Sequence, residues 1–431
     1  GGRAVSTIGR PGAGPAISLS FLLVAVACSF AALCYAELAS MIPVAGSAYT
    51  YAYATLGEIF AWILGWDLIL EYAVSNMAVA VGFSAYFNDI LDSVLGWRLP
   101  KQLSGPMIAG GQFTGSWFNL PAFLVLILLT LILVRGVKES AETNNLMVAI
   151  KVIAILIFVF GAAGAVKPEN WRPFMPNGFS GVMTGAAIVF FTYIGFDSVS
   201  TAAEECRNPQ RDLPFGIIAT LIVCTILYVS VAVVLTGIAN YKTLDNAAPV
   251  VNALRALGYE GIRRWVGAGA IIGMVSSLLV FQYGQARVWF AMSRDGLLPQ
   301  AFSKVHQKHQ TPHVSTWIAG LAVGIPSGIW DIGTFADLSN IGTLFAFFLV
   351  SAGVIVLRRT QPERPRGFRL PWNPVVPAIS MLCCLVLAMS LPLETWIRFF
   401  VWAGIGLAIY FLFGRRNSLL NGNVGEVRPQ A

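Results

Sequence analysis

The chain has 431 residues, of which 56% are hydrophobic and only 11% are charged, and its formal net charge is +7. Soluble domains carry about 25% charged residues, so the composition excludes an ordinary soluble protein, a disordered chain, a coiled coil and a disulfide-linked scaffold. Apolar runs of about 20 residues recur along the chain, and each is long enough to cross a ~30 Å hydrocarbon core as a helix. The predicted fold class is therefore an all-α polytopic membrane protein.

The excess of positive charge is typical of the cytoplasmic loops of membrane proteins, so it does not imply a nucleic-acid partner. The six cysteines include no CxxC pair, and the three histidines share one polar loop without a neighbouring carboxylate or cysteine. Those spacings do not fit a metal site. We predict no metal, no cofactor and no catalytic residue.

Eleven apolar segments, separated by polar or proline-containing breaks, are predicted to span the membrane. The second and the seventh are about 29 residues long, which indicates tilt or extension beyond the bilayer. The segments lie near 17–35, 59–87, 117–134, 146–166, 181–205, 214–236, 264–292, 314–330, 336–357, 374–391 and 396–413.

Basic residues are unequally divided between the two sets of loops. Fifteen lie on one side and nine on the other, leaving aside Arg3 and Arg10 near the N-terminus. The positive-inside rule assigns the richer side to the cytoplasm, which puts the C-terminus inside and, with an odd number of spans, the N-terminus outside. Because the start of the sequence has no secretory signal, we expect a first span to be absent from it.

The second span contains two carboxyl groups, Asp67 and Glu71. At a spacing of four they share one helix face, and two ionised carboxylates would repel there, so at least one should be protonated or paired. Glu71 lies nearer the middle of the span and is a candidate proton carrier. The alternative for either residue is a structural hydrogen bond to a neighbouring helix.

Lys151 lies inside the apolar run 146–166, about one and a half turns from its cytoplasmic end. Its side chain could extend to the membrane interface. Alternatively, it could serve as a cation within the bundle, where it would balance a carboxylate and occupy space that a bound Na⁺ would need.

Gly195, followed by Asp197 and Ser198 within a span, predicts a broken helix. One half should end near Ile194, and Asp197 or Ser198 should cap the next half. Unwound backbone at this depth is tolerated only where it lines a cavity, and its free polar groups can bind a charged ligand. Asp197 is either only a cap or directly linked to an ion or proton. Residues 204–214 predict a cytoplasmic turn, with gating by ion pairs as the alternative.

Four ordered signatures resemble the amino acid/polyamine/organocation superfamily. They are residues 35–51 (YAELASMIPVAGSAYTY), the Gly195–Asp197 break, residues 204–214 and residues 292–299 (MSRDGLLP). The sequence is most similar to bacterial members of the cationic amino acid transporter family, over about residues 13–414. The resemblance implies a LeuT-type fold, with two inverted five-helix repeats plus two helices, in which the eleven spans are helices 2 to 12.

The resemblance also implies the organisation of the chain and its site. The implied units are a head at 1–14, a transport core at 15–357, a basic cytoplasmic loop at 358–373, two helices at 374–414 and a cytoplasmic tail at 415–431. The substrate contacts implied are Phe191, Ile194 and Gly195, with Asp197 beside them. Glu71 and Lys151 match the helix 3 acid and the helix 5 lysine of the family, which implies coupling to protons rather than sodium.

The function implied is secondary active transport of amino acids across the plasma membrane by alternating access. The implied partners are the amino acid and the lipid bilayer, and a small membrane subunit is left open. Cationic and small neutral amino acids both remain possible substrates.

One departure from the family concerns its helix 1, whose glycine-rich break of the type I-G-x-G-I-F is missing ahead of Ala13–Ala16. In related folds this helix supplies half of the substrate site, so we expect a shortened transporter. The alternatives are a truncated membrane protein that does not transport, and a membrane-embedded enzyme, which would need a metal cluster or a Ser/His/Asp set.

Overall fold

The computed structural model describes residues 12–42, 47–136, 141–196, 199, 206, 208–246, 248–309 and 311–418. Within these residues a helix occupies each of the eleven predicted spans. The helices are α1 Ile17–Met41, α2 Ser47–Thr55, α3 Glu58–Leu95, α4 Leu120–Val134, α5 Ala141–Ala162, α6 Gly178–Val189, α7 Pro209–Ile238, α8 Pro249–Ala256, α9 Glu260–Arg294, α10 His313–Ile329, α11 Ile332–Thr360, α12 Val375–Met389 and α13 Leu393–Ile409.

The helix lengths confirm the membrane class. Seven helices of the described residues are long and apolar enough to cross a membrane, and shorter apolar helices accompany them. The two segments predicted to be unusually long are confirmed, since α3 has 38 residues and α9 has 35. At 1.5 Å per residue, each extends well beyond the hydrocarbon core.

Helix α3 lies at the centre of the bundle and packs against α4, α9, α10 and α11. Over its most apolar stretch it is 83% buried, whereas α5 is 17% buried over the corresponding stretch. The exposed face of α5 includes the apolar side chains Leu146, Ile153 and Phe160, so that face is suited to lipid. Helix α1 forms a second centre of packing, against α6, α7, α11 and α12.

Helix α13 is attached to α3 by a pair of tryptophans. The indole N–H of Trp66 donates to the carbonyl oxygen of Trp402 at 2.9 Å, and the indole N–H of Trp402 donates to the carbonyl oxygen of Trp66 at 3.2 Å. The rings stack with their centroids 4.5 Å apart. One turn away, the indole N–H of Trp62 donates to Gly406, so three hydrogen bonds fix this contact.

A small β-hairpin in the loop between α3 and α4 was not predicted from the sequence. Its strands are β1 Ile108–Ala109 and β2 Gln112–Phe113, paired antiparallel. The connecting residues Gly110 and Gly111 both have positive φ, +59° and +79°. A two-residue turn of this kind matches the twist of a hairpin and favours glycine at both positions.

Candidate functional site

The predicted end of a half-helix near Ile194 is confirmed within the described residues. Helix α6 ends at Val189, a single 3₁₀ turn follows over Phe190–Tyr193, and Ile194 is extended. Gly195 has φ of +120°, a conformation that side-chain-bearing residues rarely adopt. Asp197 and Ser198, expected to cap the second half-helix, lie outside the described residues, as do Glu204 and Glu205.

Hydrogen bonds with three neighbouring helices hold the segment before the break. The Tyr228 hydroxyl of α7 donates to the carbonyl oxygen of Thr192 at 2.7 Å. The Tyr193 hydroxyl donates to Phe21 of α1 at 3.0 Å, and the Asn340 amide of α11 donates to Ala187 at 2.7 Å. Backbone groups in a membrane must be satisfied internally, and Tyr228 and Asn340 do so for two carbonyl oxygens of this segment.

The residues expected to contact substrate lie on this segment with intermediate exposure. Phe191 packs against an apolar cluster of α3, α4 and α9 that includes Val74, Leu126 and Leu278. Ile194 packs against the larger cluster around α1. Phe191 and Ile194 therefore lie between the two packing centres of the bundle.

Both α3 carboxyl groups are buried, with 4% exposure for Asp67 and 1% for Glu71. Their helix faces α11 at this level. Gly342 of α11 packs closely against the Asp67 carboxyl group, since a Cβ at this glycine would lie only 2.6 Å from both carboxylate oxygens. One level further along, the hydroxyls of Ser75 and Ser339 are 3.2 Å apart. Glu71 therefore lies between two contacts of α3 with α11.

Helix α11 connects these carboxyl groups with the α6 break. Ser339 contacts α3, and the next residue, Asn340, donates to α6 two residues before Val189. The carboxyl groups and the interruption are therefore at a similar depth. An asparagine inside an apolar run is the signal by which the sequence could have revealed this connection, because polar residues in spans usually bond between helices.

Within the described part of the chain, one oxygen of Asp67 lacks the structural hydrogen bond that is the alternative to proton transfer. Among the residues that the structure describes, none donates a hydrogen bond to its Oδ2 atom. Its surroundings include Trp66, Trp402 and Gly406, which line a very small cavity beside it. The Asp67 carboxyl group therefore lies in a largely apolar setting.

Lys151 lies at the contact of α5 with α9. A Cβ added to Gly273 would be 3.1 Å from the Lys151 Cβ atom. By contrast, α9 reaches the level of Glu71 at Gln285, whose amide donates to Ile69 of α3 at 3.3 Å. Gln285 is about 12 residues from Gly273, or about 18 Å along the helix axis. The structure therefore does not bring Lys151 next to the α3 carboxyl groups.

An ion-pair cluster that the sequence did not predict lies near the C-terminal end of α1. The Glu37 carboxylate, 1% exposed, accepts from Arg358 through both oxygens and from the backbone N–H of Leu370 at 2.9 Å. Arg366 lies 3.3 Å from the same carboxylate. The cluster ties α1 to the end of α11 and to the loop that precedes α12.

The comparisons with known proteins agree with this architecture. A family model described as amino acid permease matches residues 2–413. The chain is 51% identical over 413 residues to the branched-chain amino acid permease BcaP of Bacillus subtilis (strain 168), covering 95% of this chain and 88% of that protein.

Two further relatives show the spread of the family. The methylthioribose transporter of the same organism is 48% identical, covering 96% of this chain and 89% of that protein. Cationic amino acid transporter 9, chloroplastic, of Arabidopsis thaliana is 33% identical, covering 94% and 82% respectively. The resemblance found in the sequence is thereby confirmed: the chain belongs to the amino acid permease family of multi-pass membrane transporters.

Proposed function

We propose that this permease takes up amino acids with apolar side chains, in symport with protons, across the plasma membrane. The observation that carries the proposal is the end of α6 in a non-helical segment, which forms hydrogen bonds with α1, α7 and α11. Backbone groups at such a break can bind the charged ends of an amino acid. The adjoining side chains then select what the amino acid carries.

The apolar character of the break supports the substrate class. Phe191 and Ile194 are partly exposed apolar side chains beside it, and the hydroxyl of the partly exposed Thr192 donates to Val189. Apolar walls favour apolar side chains over charged ones. The names of the relatives point to three chemistries: branched-chain amino acids, methylthioribose and cationic amino acids. The walls around the break favour the first.

The two buried carboxyl groups of α3 support coupling to protons. A carboxyl group inside the membrane is costly when ionised, so it usually marks a function such as proton relay. The face of α3 that carries them contacts α11 through Asp67 and Ser75, and α11 also contacts α6. A proton taken up on either carboxyl group would remove a buried charge and so change the packing of these helices.

Uptake of labelled leucine into proteoliposomes tests the proposal. An acidic exterior should accelerate uptake, and replacement of Na⁺ by choline should leave it unchanged. Glu71→Gln should lower uptake driven by the proton gradient by about tenfold or more, because a glutamine side chain cannot take up and release a proton as a carboxyl group does. Asp67→Asn should reduce the response to the gradient more than it reduces leucine exchange at equal pH.

Glu394→Gln provides a matched control, since this glutamate is 82% exposed at the start of α13. Sodium-dependent uptake that is insensitive to Glu71→Gln and Asp67→Asn would contradict proton coupling. Competition separates the substrate classes: leucine and valine should displace the label, whereas excess arginine or methylthioribose should not.

A further inference from the structure

The loop that joins α11 to α12 carries more positive charge than its acidic partners neutralise. Residues 358–373 contain five arginines and one glutamate. Three of the arginines are occupied within the protein, by the Glu37 carboxylate or by hydrogen bonds, namely Arg358, Arg364 and Arg366. The other two are Arg359 and Arg369, and both are exposed.

Arg359 and Arg369 have no counter-charge in the described part of the chain. Neither guanidinium takes part in the ion pairs of this loop, which are made by other arginines with Glu37. The acid of the loop itself, Glu363, is exposed and pairs with neither of them. Two unpaired guanidinium groups favour an anion, and their planar arrangement of N–H donors fits a phosphate.

The Glu37 cluster brings these two arginines to the same end of the bundle. Arg358 donates to the carbonyl oxygen of Leu370 at 3.0 Å, and the backbone N–H of Leu370 donates to Glu37 at 2.9 Å. Arg359 follows the first of these bonded residues in the chain, and Arg369 precedes the second. The clamp therefore holds both ends of the loop, and with them both unpaired cations, at one level.

An exposed tryptophan lies between this level and α12. Trp372 is 80% exposed and has φ of +49°, which is unusual for a residue with a large side chain. Its carbonyl oxygen accepts from the backbone N–H of Val376 at 3.1 Å, so the first turn of α12 fixes its backbone. Tryptophan is enriched where a membrane helix meets the headgroups, and this position fits that role.

An apolar stripe continues from the tryptophan along α12. Val375, Leu382 and Met389 are seven residues apart, which places them on one face of the helix, and all three are exposed. Helix α12 also packs beside α11, whose Ser351 hydroxyl is 2.8 Å from that of Ser380. The last turn of α11, which carries Arg359, is thus close to the start of the stripe.

We propose that the loop between α11 and α12 binds an anionic phospholipid, in the leaflet on the side that the basic residues assign to the cytoplasm. Arg359 and Arg369 bind its phosphate, the Trp372 indole lies among the headgroups, and the acyl chains follow the apolar stripe of α12. A soluble phosphate would gain only the charge contacts, so the stripe favours a lipid. A choline headgroup would bring a cation towards two guanidinium groups, which favours phosphatidylglycerol over phosphatidylcholine.

Native mass spectrometry of the purified full chain in detergent tests the site, with each of the two lipids added in turn. The unmodified chain should bind one phosphatidylglycerol at least about tenfold more tightly than phosphatidylcholine. Arg359→Gln combined with Arg369→Gln should abolish most of this preference, because each exposed basic residue strengthens attraction to anionic lipid by about fivefold.

Lys304→Gln combined with Lys308→Gln is the matched control. It removes the same charge from two exposed lysines of the loop between α9 and α10, and it should keep the preference. Thermal unfolding in the absence of lipid checks the folding of both double variants, whose midpoints should match that of the unmodified chain. Added phosphatidylglycerol should raise the midpoint of the lysine variant but not that of the arginine variant.

Three results would overturn the proposal. The first is an unchanged preference for phosphatidylglycerol in the arginine variant. The second is an equal loss in the lysine variant, which would indicate a response to net charge alone. The third is displacement of the lipid by millimolar inorganic phosphate, which would indicate a site for a soluble anion.

Discussion

Glu37 shows how one buried residue can connect parts of the chain that are far apart in sequence. Its carboxylate binds the guanidinium of Arg358 and the backbone of Leu370, more than 300 residues away. A buried pair contributes modest net stability, because desolvation offsets the attraction. Removing one partner is nevertheless costly, since the other charge is left buried.

We expect Glu37→Gln to destabilise the protein by about 3 kcal/mol, because Arg358 and Arg366 would lose their counter-charge. The thermal unfolding midpoint of the purified protein in detergent measures the effect. The matched control is Glu394→Gln, whose partner Arg398 is 49% exposed, and it should cost less than about 1 kcal/mol. Equal midpoints for the two variants would contradict a structural role of the Glu37 cluster.

The partners of single residues were the least predictable feature of this sequence. Glu37 was visible as part of a family signature, but nothing near it indicates that Arg358 and Leu370 complete its hydrogen bonds. Asp67 and Glu71 could be identified because a carboxyl group inside an apolar run is conspicuous. Their proximity to α11 and the distance of Lys151 from them depend on helix packing, which periodicity does not encode.

At the scale of elements, the contact of α5 with α9 depends on small residues. Gly269 and Gly273 are four apart on α9 and face α5, in the spacing that lets membrane helices approach closely. A Cβ at Gly269 would lie 2.2 Å from the Cβ of Ala154. At the same contact, Gly273 packs against the aliphatic part of the Lys151 side chain.

Gly269→Ala should therefore separate α5 from α9 and destabilise the protein by about 1–3 kcal/mol, as overpacking does. Adding Ala154→Gly should restore most of the thermal stability, since it removes the opposing methyl group. Gly261→Ala, in the same helix but with no atom within 4 Å of the new Cβ, should be nearly neutral. A failure of the double variant to recover would show that the contact is not the cause.

The elements themselves were largely predictable, because apolar length is a strong signal. Every predicted span contains a helix, and Gly195 marked the interruption of α6. The short helices α2 and α8 and the hairpin at Gly110 were missed, since none is long enough to produce a membrane signal. The turn predicted over 204–214 is partly helix, because α7 begins at Pro209, where proline suits the first turn.

At the scale of the whole molecule, the distribution of basic residues predicts which side faces the cytoplasm. The hairpin residue Gln112 and the loop residue Glu363 are both exposed and lie on opposite predicted sides. In a chain without other cysteines, Gln112→Cys should react with an impermeant maleimide in intact cells. Glu363→Cys should react only after permeabilisation, and the reverse pattern would contradict the predicted orientation.

The paired tryptophans Trp66 and Trp402 have a consequence for how the protein responds to its bilayer. Tryptophans of membrane proteins commonly lie at the interface, where the indole N–H meets headgroups and water and fixes the depth of a helix. Here both N–H groups are bound within the pair. The depth of α13 is thus fixed by α3, not by the headgroups, so lipids of different thickness should tilt the exposed α5 before they displace α13.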